Sequence, residues 1–199
     1  GEIKSMSKKK ITWKDIKPIL DTMKGLQLCK ILQDLYEFSD ENKSFFHARF
    51  SNYLSKDDYL ETYKIRIQKA INPKEPWRKD FQLSAGKKAI SEFKKANGNI
   101  EDLLTLMLLY VSCGNDFTLE YGDINETFYS SMASMYASIV ELLIKHKDES
   151  LVSKFKPQLK AELIRVKSIG WGYPDDLEES LEDLDEAFLK IIQTPYKIV

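Results

Sequence analysis

One run of residues constrains this chain more than any other. Leu103, Leu104, Leu106, Met107, Leu108, Leu109, Tyr110 and Val111 place apolar side chains on nearly every face of a helix. A helix that is apolar all round lies among other helices, not on a surface. The run is about 12 residues long, too short for a membrane span of ~20. Asn99 precedes it as an N-cap candidate, and Glu101 and Asp102 suit the positive end of the helix. Downstream, Gly114, Asn115 and Asp116 predict a helix end. A short bridge from Phe117 to Tyr121 follows, closed by Gly122 and Asp123. Asn125 then opens an amphipathic helix with Phe128, Met132, Met135, Tyr136, Ile139, Val140, Leu142, Leu143 and Ile144 on its apolar side. Its other side carries Ser130, Ser131, Ser134, Ser138, Glu141 and Lys145. The two helices read as an antiparallel hairpin, the local unit of all-α folds.

The rest of the chain supports that class. Of 199 residues, 43% are hydrophobic and 31% charged, enough apolar material for a real core. Eight glycines and six prolines are too few for a sandwich of many tight turns. Residues 1–11 form a polar basic lead, and with no apolar run after Lys8, Lys9 and Lys10 the expectation is that they are not a secretory signal. Thr12 with Asp15 resembles a capping box, although Pro18 kinks the following helix or delays its start. Gly25 marks a joint, Ser39 a cap, and Ser55 with Asp57 and Asp58 the start of a further helix. Residues 72–83 read as a loop. Ser84 is expected to cap the next helix, which Asn97 and Gly98 close. Beyond the central hairpin, residues 148–169 form a helix for which Ser153 is an alternative start, because Pro157 falls early. Asp175 and Asp176 open the last one. The expectation is an all-α protein of roughly eight helices packed as antiparallel hairpins, either a short solenoid-like array or an irregular bundle. One helical domain spans 12–193, followed by a tail at 194–199.

Four blocks carry a family resemblance. LMLLYVSCGNDFTLE (106–120), YGDINETFYSSMASMY (121–136), KKAISEFKKANG (87–98) and IGWGYPDDL (169–177) resemble a bacterial family of small all-helical proteins of unknown function. The resemblance implies helical architecture and brings no catalytic residues with it.

Chemistry is sparse in the sequence. His47 and His146 stand alone, without metal-ligand spacing, so neither a metal nor a cofactor is expected. Cys113 sits next to the predicted helix C-terminus, where the dipole opposes thiolate formation. With Cys29 it is expected to be reduced and buried in a cytoplasmic protein. Gly86-Lys87-Lys88 lacks the remainder of a phosphate loop. The carboxylates from Asp175 to Glu186 read as the solvated face of the last helix, without calcium-loop spacing.

Two stretches remain as candidates. Tyr121, Asp123, Asn125, Glu126 and Tyr129 concentrate polar and aromatic groups at a connection beside the most apolar helices, and connections carry function disproportionately. The plainer reading, in which Asp123 or Asn125 only caps a helix, is preferred. Lys74, Trp77, Arg78, Lys79, Lys87 and Lys88 interleave cations with an aromatic ring, as phosphate neutralisation and base stacking require. Glu75, Asp80 and Glu92 dilute that patch, and a pI of about 6.2 is low for a nucleic-acid binder. Charge is nonetheless uneven: residues 1–98 hold 21 Lys and Arg against 13 Asp and Glu, whereas residues 99–199 hold 9 against 18. Such a split marks either a partner surface or two halves that neutralise each other. The leading expectation is a non-enzymatic module for protein interaction or self-association, with no membrane partner. Nucleic-acid binding through residues 69–95 is the alternative, and an enzyme site near 121–129 the second alternative.

Overall fold

The computed structural model describes residues 10–53, 59–73 and 82–193, without the side chains of 190–193. Most of the basic lead, the expected helix start at Ser55, most of the 72–83 loop and the 194–199 tail therefore lie outside the described residues. Every regular element described is an α-helix: α1 (Trp13–Asp21), α2 (Gly25–Phe38), α3 (Asp40–Arg49), α4 (Tyr59–Ile71), α5 (Leu83–Ala96), α6 (Ile100–Tyr121), α7 (Glu126–His146), α8 (Glu149–Arg165) and α9 (Tyr173–Gln193). The protein is all-α. No helix among the described residues is long and apolar enough to cross a membrane. The chain divides into two compact units, Gly1–Phe46 and His47–Val199.

The first unit begins with the expected capping box. The Asp15 carboxylate accepts from the Thr12 amide at 2.8 Å and from its hydroxyl at 2.9 Å, which holds that carboxyl below its usual range. Pro18 neither ends α1 nor delays it. Ser39 caps α3 by accepting from the Asn42 amide at 3.1 Å. Asn42 in turn donates to the Leu35 carbonyl at 2.5 Å, satisfying one of the orphan acceptors at the end of α2. Tyr36 meets Phe46 edge to face at 5.8 Å.

In the second unit α6 is the central element, packing against α4, α5, α7 and α8. Twelve of its 22 residues are buried, as the all-round apolar run requires. α4 and α5 pair closely on one side of it, and α9 covers α7 on the other. The α4–α5 pair is clasped by Arg66 on Glu92 at 2.6 Å and by Tyr63 edge-on to Phe93 at 5.3 Å. Arg49 donates to the carbonyls of Lys95 and Ala96, both at 2.6 Å, and so satisfies orphan acceptors at the C-terminus of α5.

Four expectations are corrected. Gly114 does not end α6, and there is no separate bridge from Phe117 to Tyr121: one helix continues to Tyr121. Gly114 serves a contact instead. A Cβ built there would lie 2.2 Å from Met132 Sδ, so only hydrogen lets α7 approach so closely. Ser84 does not cap α5, because the helix already begins at Leu83. Ser153 is not a helix start either. Asp148 caps α8 by accepting from the amides of Ser150 and Leu151, and Pro157 lies inside the helix. α9 likewise opens earlier than Asp175, at Tyr173, whose buried ring is part of the core.

Candidate functional site

Two regions of the second unit compete as sites, and the first is the α6–α7 connection. Gly122 turns the chain there with φ +91, a conformation that favours glycine. Asn125 accepts from the Phe128 amide at 2.9 Å and is the N-cap of α7. Glu126 is exposed in the first turn, and Tyr121 lies half-exposed against Phe117 with ring centroids 4.8 Å apart. Asp123 and Tyr129 do come together: the buried Tyr129 hydroxyl donates to Asp123 Oδ1 at 2.7 Å. Thr118 stands 2.6 Å from the same hydroxyl. The other Asp123 oxygen accepts from Trp171 Nε1 at 2.9 Å. Trp171 holds φ 66, uncommon for so bulky a residue, and its ring stacks on Tyr129 at 6.4 Å.

A second polar chain lies nearby. The fully buried Asn115 donates to Glu162 Oε2 and accepts from the Tyr173 hydroxyl, both at 2.8 Å. Arg165 bonds Glu162 at 3.0 Å and also meets Asp116. Burial is the main force raising the Tyr129 and Tyr173 hydroxyls above their usual range. Phenols held neutral in this way are poor proton donors and acceptors near pH 7. Each polar group of these two hydrogen-bonded networks already has a partner inside the protein. The arrangement ties the α6–α7 connection to the turn between α8 and α9.

The second region is an open groove of about 550 Å³ over α6, between α5 and α7. Its floor is formed by Ile90, Leu103, Met107 and Met135, each with 5–8% of its surface open. Lys87 and Lys94 rise on the α5 side, and Glu141 and Lys145 on the α7 side. A smaller cavity continues it past Lys87 and Ser134 to Leu83, Ser130 and Ser131. Leu83 therefore lies level with Ser130 and Lys87 with Ser134, so α5 and α7 run in the same direction. From Thr127 to Lys145 the α7 wall is about 27 Å long at ~1.5 Å per residue. Tyr110, rising from α6, closes the floor at one end: its hydroxyl is 2.8 Å from Ser131 Oγ and 3.4 Å from the Leu83 carbonyl. Ser131, expected on the outer face of α7, is thus buried.

The basic candidates separate in space. Lys87 lines the groove, whereas Lys88 turns toward Glu92 at 3.7 Å. Lys74, Trp77, Arg78 and Lys79 lie outside the described residues. Lys94 falls within the basic segment 69–95, whereas Lys145 and the floor methionines have no place among the site residues expected from the sequence. The available signal was the spacing of Ser130, Ser134 and Ser138, a strip of small side chains along α7. Comparison with protein-family models, with curated proteins and with solved structures finds no match for this chain.

Proposed function

We propose that this protein is a non-enzymatic interaction module that receives an amphipathic helix of a partner protein in the α5–α7 groove. The observation that carries this reading is the groove itself, about 27 Å long on its α7 wall, with an apolar floor between polar rims. Helix-in-groove recognition needs that combination, because a row of apolar side chains at helical spacing enters the floor while the flanks stay wet. The small side chains of Ser130, Ser134 and Ser138 support it by leaving room for a helix to approach α7. A groove open along its length does not enclose a small molecule, whose pockets bury most of the ligand surface. The alternative enzyme site near 121–129 has its Asp123 and Tyr129 already bonded to protein groups.

The test is a display library of 18-residue amphipathic helices selected on the full chain, in parallel with Ser134→Trp. Ser134 is exposed, so the tryptophan fills the groove without disturbing the core. Sequences enriched on the native protein and not on the variant support the reading. Equal enrichment on both defeats it.

A further inference from the structure

Resting on that docking reading, we infer that the partner helix is acidic, with carboxylates placed to meet Lys87, Lys94 and Lys145. Three cations and one carboxylate, Glu141, stand on the groove rims. Among the described residues no carboxylate lies within ion-pair distance of any of the three lysines, whereas their neighbour Lys88 is paired with Glu92. The acidic half of the chain spends its charge elsewhere, with Glu101 meeting Lys154 and Asp185 meeting Lys156. The groove therefore presents a net positive field over an apolar floor, and like charge on an incoming helix is rejected there.

The spacing specifies more. Lys87 and Lys94 are seven residues apart on α5, about 10.5 Å along the axis at ~1.5 Å per residue. A helix lying alongside α5 meets both with carboxylates at positions i and i+7 of one flank. Lys145 stands on the opposite wall, about one turn beyond Glu141 and toward the same end of the groove as Lys94, so a third carboxylate belongs on the other flank near that end. The partner segment is then an amphipathic helix of roughly five turns, apolar on one stripe and acidic on both shoulders. The outer face of α9 does not meet that description, although it is acidic: its apolar residues Leu177, Leu181 and Leu184 are already buried.

The experiment is the same selection with the flank positions drawn from Glu, Gln and Lys, read by sequencing. Native protein is expected to enrich Glu at i and i+7. The pair Lys87→Glu and Lys94→Glu is expected to shift the preference to Lys. A Glu-bearing peptide from the selection is expected to bind that variant about tenfold more weakly, with a salt dependence that the Gln-substituted peptide lacks. Equal recovery of Gln and Glu overturns the acidic partner and leaves helix docking standing. Enrichment that survives Ser134→Trp overturns both. Sedimentation of the protein alone decides a further point, because a dimer split by Ser134→Trp makes a second copy the occupant and overturns the inference. Binding of a labelled single-stranded oligonucleotide at low salt, abolished by the lysine pair, overturns it in favour of nucleic acid.

Discussion

Replacing Gly114 with Ala tests how the two central helices meet. In an ordinary helix interior the change stabilises by about 1 kcal/mol, because glycine carries the larger backbone entropy cost. Here the new Cβ would lie 2.2 Å from Met132 Sδ and 3.1 Å from both Met132 Cγ and Cε, well inside the contact distance of ~3.5–4.0 Å. The collision involves the length of the thioether chain and not its tip, and Met132 is fully buried. Such overpacking costs about 1–3 kcal/mol, so the net expectation is a loss of about 1 kcal/mol. For a chain of this size that lowers Tm by about 2–4 °C. The sign should reverse in the background of Met132→Ala. That substitution alone costs about 2–5 kcal/mol and opens a space that the methyl group introduced by Gly114→Ala partly fills. Gly114→Ala should then be neutral or stabilising, with a coupling of about 1–2 kcal/mol across the cycle. Chemical denaturation of the four proteins measures it. Equal effects of Gly114→Ala in both backgrounds would refute the close approach of α7 to α6 at Gly114.

Four further outcomes are expected. Asn115→Ala removes the partner of the buried Tyr173 hydroxyl and of Glu162, and should cost about 1–3 kcal/mol in urea unfolding; Asn125→Ala should cost about 1 kcal/mol through the lost N-cap. Burial, with Asp116 and Glu162 adding to it, pushes the Cys113 thiol up from 9.0 to about 12. The folded state therefore prefers the protonated thiol, and its contribution is fully present below pH 9 and lost as pH rises from 9 toward 12. Stability measured over that interval should fall with pH, and Cys113→Ala should make the fall shallower; an unchanged slope would contradict the assignment. With Cys29 exposed and Cys113 buried, a chromogenic disulfide at about pH 8 should titrate one fast thiol per native chain and two after unfolding.

Local physics made much of the fold legible in the sequence. Asn99 and Asn125 could be read as caps because a short side-chain acceptor before an apolar run has one local use, and the run from Leu103 to Val111 could be read as buried because no face of it suits water. Gly114 and Ser84 misled for a related reason. A glycine that ends a helix and a glycine that lets another helix approach are identical until the partner, Met132, is known. Ser84 lost its capping role to a helix that starts one residue before it. The candidate sites were harder still. Asp123 and Tyr129 are close in sequence, but Trp171, which completes their arrangement, is 48 residues from Asp123. Lys87 and Lys145 become the rims of one groove only because α5 and α7 flank α6, and no spacing within either helix encodes that.

Methyl NMR on ¹³C-labelled methionine tests the groove most directly, because the chain carries its own reporters. Met107 and Met135 lie on the floor, Met132 is sealed in the α6–α7 core, and Met23 belongs to the first unit. Titration with the strongest acidic peptide from the selection should move the Met107 and Met135 methyl signals together, in proportion to occupancy, with Met132 changing less. Saturable binding with Met107 and Met135 unmoved would place the peptide elsewhere and contradict the docking site.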